Sequence, residues 1–191
     1  MKKERVKIMK GKLVSLVVPE REDVVFWYKA LNNPQINQYL WTWQNLYTLE
    51  FEEKYYDKLI DSNDIIQFSI MNNKLWEIIW NITLDKISHF HKTASFWMFI
   101  GEVKNHEKWY WTEALLLLLN YAFKVQWLRK ISASYLSNNP RAEHVYKKVW
   151  FKEIWTKKDH FYKYWEYYDE VLIEVFKDEF YEANKDYFNK K

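Results

Sequence analysis

Hydrophobic residues along this chain recur with two periods, and the changes of period mark its elements. Lys12 to Val18 is a run of leucine and β-branched residues stopped by Pro19, which predicts a short strand. Acidic Glu20, Glu22 and Asp23 suit the first turn of a helix that runs to about Leu31, where Asn32-Asn33-Pro34 ends it. Phe51, Tyr55 and Leu59 share one face of a second helix, Leu49 to Ile60, with Thr48 as N-cap. Period two then takes over. Ile65 to Met71, a turn at Asn72-Asn73 and Leu75 to Leu84 read as a hairpin, and Ala94 to Ile100 as a third antiparallel strand. Thr112 to Lys124 is a strongly apolar helix and Arg129 to Leu136 a strand. Pro140 to Lys148 is a helix with proline at its first position, and Phe151 to Lys157 and Val171 to Phe176 are two last strands. Asp178 to Lys191 is a charged, aromatic-bearing tail, read as helical and suited to cover a neighbouring subunit. With no repeat and no linker, the pattern predicts one α/β domain.

Composition narrows the function without naming it. The 191 residues carry a net charge of +3 from interspersed lysines and carboxylates, with no basic block of the kind that marks a nucleic-acid footprint. The absence of cysteine removes disulfides, thiolate nucleophiles and cysteine-based metal sites. The amino terminus has no apolar signal core, and the aliphatic run Ala114 to Leu119 is far shorter than the roughly 20 residues of a membrane span. A cytoplasmic protein with no membrane or nucleic-acid partner is expected. His89 and His91 alternate as on one strand face, but no third ligand accompanies them, so no metal is expected; His144 and His160 carry no signal.

One compositional feature changes the picture. Twelve tryptophans stand against two glycines, where a usual frequency of roughly 7% would give about thirteen glycines. Trp127 lies at a helix-to-strand junction, Trp150 follows a helix, and Trp165 sits in a polar turn. These are places where glycine is favoured because positive φ costs it little. Reading every tryptophan except Trp27 as glycine restores the ordinary number. The codon UGA means tryptophan in some bacterial codes and glycine in others, and 25 lysines against four arginines fit an AT-rich gene, so translation with the wrong code is a direct explanation. The alternative is a genuinely tryptophan-rich protein, for instance an aromatic binding module whose indoles stack on sugars or bases; their scatter over turns and caps argues against it.

With glycine at 109 and 111, residues 106–113 read His-Glu-Lys-Gly-Tyr-Gly-Thr-Glu, a turn before a helix whose backbone N–H groups can receive a pyrophosphate. Here the chain resembles the GNAT superfamily of acetyl-CoA-dependent N-acetyltransferases, and within it the RimJ/RimL-like group. The resemblance rests on Asn33-Pro34, Tyr39-Leu40, the loop at 106–111, Tyr121-Ala122-Phe123, Asn139-Pro140-Arg141-Ala142, and Tyr146-Lys147-Lys148-Val149-Trp150-Phe151. It departs from the family pattern at His106, Trp109, Trp111 and Trp150, the last three being family glycines; Trp80, Trp97, Trp127, Trp155 and Trp165 also fall where the family favours glycine. The resemblance implies a GNAT domain over residues 11–177, followed by the tail at 178–191. The implied fold is a mixed, mostly antiparallel central sheet of six to seven strands flanked by about four helices.

The implied function is transfer of acetyl from acetyl-CoA to a primary amine, a small molecule or a peptide N-terminus, by direct attack in a ternary complex; the protein is expected as a monomer or homodimer. Implied cofactor contacts are Met98, Phe99 and Ile100 on the strand that splays from Ser132 and Ser134, together with His106, Lys108, Trp109, Tyr110, Trp111, Thr112 and Asn139. Tyr146 is the implied acid for the leaving thiolate. Residue chemistry alone also allows Tyr146 as a packing residue and Asn139 as an N-cap before Pro140. A base is required because an alkylammonium has no lone pair; Glu102 is the first candidate and Glu77 the second. Glu113 reads as first-turn helix chemistry. Trp41-Thr42-Trp43 and the first two helices are expected to shape the acceptor cleft. A competing expectation is a GNAT-fold protein inactive as written because Trp109 and Trp111 block the pyrophosphate loop.

Overall fold

A computed structural model describes residues 4–40, 42, 44–98 and 108–189. In chain order the elements are β1 (Lys7–Lys10), β2 (Val14–Val17), a 3-10 turn (Arg21–Asp23), α1 (Val24–Leu31), α2 (Pro34–Asn37), α3 (Leu49–Asp61), β3 (Ile66–Asn72), β4 (Glu77–Ser88) and β5 (Thr93–Met98). There follow α4 (Lys108–Lys124), β6 (Lys130–Leu136), α5 (Pro140–Lys148), β7 (Lys152–Lys163), β8 (Glu166–Phe176), α6 (Lys177–Ala183) and α7 (Lys185–Phe188). The strands form one sheet in the order β1-β2-β3-β4-β5-β6-β8-β7. Every pairing is antiparallel except β5 with β6, which the crossover through α4 makes parallel. The described residues thus hold eight strands, where six or seven were expected. The four helices of eight residues or more are α1, α3, α4 and α5. None of the described helices is long and apolar enough to cross a membrane.

Helix α4 is apolar on all sides, and such a helix must be covered on all sides. One side lies on the sheet. Phe123, near its end, is fully buried against Phe180 of α6, with ring centroids 5.4 Å apart. The aromatic tail therefore covers the core of its own chain. Tyr187 of α7 adds a polar tie by donating a hydrogen bond to Glu113 Oε1 at 3.0 Å. Glu113 is more than first-turn chemistry: its carboxylate also accepts the backbone N–H groups of Lys12, Leu13 and Val14 at 2.9, 2.6 and 2.9 Å. Gly11 permits this approach, since a Cβ there would lie 2.7 Å from Glu113 Cδ.

Backbone conformation bears directly on the tryptophans. Eight non-glycine residues among those described have positive φ, and four of them are Trp76 (58°), Trp127 (51°), Trp150 (79°) and Trp165 (68°). Positive φ occurs in only a few per cent of non-glycine residues, and least for bulky ones. Each of the four sits at a recognisable glycine position. Trp150 follows α5 with its N–H on Lys147 O and the next N–H on Tyr146 O, the two bonds of a Schellman cap. Trp127 follows α4, where Leu128 N–H returns to Ala122 O. Tyr164 (50°) and Trp165 together make the two-residue turn between β7 and β8, whose positive φ at both positions favours Asn-Gly. Trp76 closes the turn from β3 to β4. The β7–β8 hairpin is far longer than the two short strands expected, because beyond an irregularity after Lys157 the residues Phe161, Tyr162 and Lys163 pair with Tyr168, Tyr167 and Glu166.

Candidate active site

Strands β5 and β6 pair over three residues, Thr93 with Lys130 through Ser95 with Ser132, and then part. Beyond that point β5 stays with β4 as far as Met98 opposite Ile82, while β6 stays with β8 as far as Leu136 opposite Glu170. The divergence opens a cleft of about 540 Å³ in the middle of the sheet, lined by Phe96 to Met98 on one side and Ser132 to Leu136 on the other. Met98, Asn139 and Tyr146 of the expected site meet here, with Ser132 and Ser134. Asn139 is the N-cap of α5, its Oδ1 accepting from Ala142 N–H at 3.1 Å, so its amide NH₂ remains for another partner. Tyr146 is only 5% exposed, packed against Phe96, Tyr135 and Phe151. Burial raises the pKa of its hydroxyl well above the usual phenol value. It therefore stays protonated at neutral pH and remains able to donate.

The α4 end of the site differs from the expected loop. Lys108 opens α4, so Trp109, Tyr110, Trp111 and Thr112 lie in the helix's first turns. Trp111 is turned into the core, 3% exposed, with its ring edge-on to Trp80 at 5.6 Å. Tyr110 packs against the core and Thr112 is buried. Trp109 alone is exposed at the helix start, with Lys148 Nζ 3.2 Å above its ring. Phe99, Ile100, Glu102 and His106, and likewise Trp41 and Trp43, lie outside the described residues. His89 and His91 fall in the turn from β4 to β5 and not on a strand; among the described residues no group of three or more His, Asp or Glu is placed to hold a metal ion.

A second cavity of about 340 Å³ lies between the sheet and the layer of α1 and α3. Asp85 of β4 and Trp97 of β5 line both cavities, so the two share a boundary. Sequence reading missed the two acids here. Asp85 follows Asn81 and Thr83 on alternate positions of β4, a pattern that suggests a wetted face until α1 and α3 are laid over it. Its Oδ1 is buried with no hydrogen-bond partner among the described residues. Glu52 of α3 is 3% exposed, and burial alone pushes its carboxyl up to about 7. Burial likewise raises Asp85. Both carboxylates act on Tyr55, whose hydroxyl donates to Gln67 Oε1 at 3.2 Å. Glu77 is exposed at the start of β4 and lines neither cavity.

Comparison with known proteins fits this geometry. A family model described as the acetyltransferase (GNAT) domain matches residues 14–152. The spermidine N(1)-acetyltransferase of Vibrio cholerae serotype O1 is 27% identical over 134 residues, which cover 70% of this chain and 76% of that protein. The crystal structure of spermidine N-acetyltransferase from Vibrio cholerae with CoA and spermine superposes with a TM-score of 0.80 at 23% identity, covering 89% of this chain and 99% of that one. Mutant forms of the spermidine/spermine N-acetyltransferase from the same organism give a TM-score of 0.76 at 23% identity, covering 91% and 99%. These matches reach the GNAT domain without singling out the RimJ/RimL-like group. The chain belongs to the GNAT acetyltransferase family, N-acetyltransferases that use acetyl-CoA.

Proposed function

We propose that the protein moves the acetyl group of acetyl-CoA to the nitrogen of a small primary amine by direct attack, with both substrates bound. The parting of β5 from β6 above a buried Tyr146 carries this reading. Acetyl-CoA, when bound, supplies an acetyl thioester and a thiolate leaving group. The cleft takes its thioester arm, with Met98 on one wall and the Asn139 amide on the other. The first-turn N–H groups of α4, from Lys108 to Trp111, are the donors for its pyrophosphate. Tyr146 holds the proton that the departing thiolate needs. Asp85, on the boundary of the two cavities, takes the proton that the incoming ammonium must lose; its raised pKa moves it towards neutrality, where such transfers are efficient. Glu102 is the alternative base. The small second cavity and the spermidine acetyltransferase relatives both favour a small amine over the protein N-terminus served by the RimJ/RimL-like group.

Tyr146→Phe tests the assignment. It is expected to lower kcat about 100-fold or more while leaving CoA affinity nearly unchanged, as measured by thiol release and by calorimetric titration with CoA. Full kcat in the variant refutes the role of Tyr146. Failure of the parent to bind CoA at millimolar concentration refutes the function.

We also infer that Trp76, Trp127, Trp150 and Trp165 stand where the backbone calls for glycine, and that their codons are UGA. Four of the ten described tryptophans at positive φ support this.

A further inference from the structure

The acceptor cavity has one acidic locus and a largely aromatic remainder. Glu52 and Asp85 both act on Tyr55, while the rest of the wall is Phe26, Trp27, Tyr47, Phe51 and their apolar neighbours, with one amide, Asn81. No arginine or lysine lines it among the described residues. The Glu52 carboxylate, nine-tenths and more buried, forms no ion pair or hydrogen bond with any described residue, yet it lines the cavity. A buried carboxylate with no cation awaits one, because an uncompensated buried charge is costly and an ion pair offsets that cost.

We propose that the acceptor is a primary amine with a single cationic centre and an apolar body of aromatic size, its ammonium held between Glu52 and Asp85 and its body among the aromatic rings, and that it is not a polyamine. This rests on the acetyl-transfer reading and names the substrate class for it. Placing the ammonium at Asp85 sets the nitrogen on the boundary with the thioester cleft, which is where attack must occur. The body then points away from the cleft, into a wall that carries no further acid among the described residues. A polyamine carries further ammonium groups four or five bonds along its chain, and each would lie against Phe26, Trp27 or Phe51 with no carboxylate among the described lining residues there to balance it. A monoamine meets no such penalty, and aromatic walls reward an aromatic body. The size agrees: 340 Å³ is the volume of about eleven waters at roughly 30 Å³ each, enough for 2-phenylethylamine.

The test compares 2-phenylethylamine with spermidine in two assays on the purified chain. Initial rates with acetyl-CoA are expected to give 2-phenylethylamine a kcat/KM about tenfold or more above that of spermidine. Three indoles, Trp27, Trp80 and Trp97, line the cavity, so 2-phenylethylamine is also expected to change tryptophan fluorescence saturably without any acetyl donor. Glu52→Gln is expected to raise both its KM and its fluorescence Kd by about tenfold, the usual loss for one charge-assisted hydrogen bond, with CoA affinity unchanged. Equal or better use of spermidine overturns the proposal while leaving the acetyltransferase reading intact. If no amine is acetylated, that reading fails and the fluorescence titration decides alone: saturation weakened by Glu52→Gln supports the cavity assignment. Absence of saturation, or a Kd unmoved by the substitution, overturns it.

Discussion

Replacing the four positive-φ tryptophans with glycine should stabilise the protein, against the ordinary rule that removing a tryptophan costs about 3–5 kcal/mol when the ring is buried. At Trp127 and Trp165 the rings are 76% and 89% exposed, so little packing is lost. A left-handed conformation costs an L-residue with a Cβ roughly 1–2 kcal/mol, and glycine is free of that cost. The flexibility that glycine adds to the unfolded chain takes back about 0.5–1 kcal/mol. Trp76 also gives up a contact with Lys7 Nζ 4.3 Å from its ring, worth about 0.5–1 kcal/mol at an exposed site. The net is about +1 kcal/mol at Trp127 and Trp165, while Trp76 and Trp150, both 49% exposed, lose enough packing to cancel the gain. Because Trp127 and Trp165 lie on separate turns, the effects should add, for about 2 kcal/mol in Trp127→Gly/Trp165→Gly. In a domain of this length each kcal/mol moves Tm by about 2–4 °C, so the double variant should melt roughly 4–8 °C higher by circular dichroism. Trp27→Gly is the internal control: that indole is 2% exposed on α1 and its loss should cost the full cavity penalty. A double variant that melts below the parent refutes the reasoning, and UGG codons at these positions refute the decoding explanation independently.

Two further predictions concern buried carboxylates. Glu52 has a folded-state pKa near 7, above the ordinary 4.5, so between those values the folded chain holds the extra proton and stability falls as pH rises through the window. The full penalty, about 3 kcal/mol, applies above pH 7 and vanishes below pH 4.5. Glu52→Gln should therefore be more stable than the parent in urea melts at pH 8 and equal to it at pH 4; a variant less stable at pH 8 contradicts the assignment. Glu113→Gln should instead destabilise by about 2–4 kcal/mol, because one oxygen becomes a donor facing a donor, with Tyr187→Phe costing about 1.5–3 kcal/mol; an unchanged denaturation midpoint for either would remove the clamp they are said to form.

Residues whose role is local were readable from the chain, and residues whose role is made by distant packing were not. The Thr48 cap accepting from Phe51 N–H, proline opening α5, and the β3–β4 hairpin all depend on neighbours within a few positions. So do the cap at Trp150 and the turn at Trp165, which is why a count of missing glycines could point to backbone angles. Glu113 binds backbone about a hundred residues away, and α4 starts four residues earlier than its apolar run because Trp111 finds a partner in Trp80 on β4. Asp85 and Glu52 belong to the same class. Each looks like an ordinary solvated acid on its own element, and only the closure of α1 and α3 over β4 and β5 withdraws both from water. That withdrawal raises the proton affinity of both groups, against the pull of Lys86 at Asp85 and with no opposing cation at Glu52 among the described residues, and stability is sacrificed to it at neutral pH. A chain under selection for stability alone would place glutamine or leucine at position 52. The acid kept there is what makes the cavity a receptor for a cation, so Glu52→Gln should gain stability and lose acceptor affinity in the same molecule.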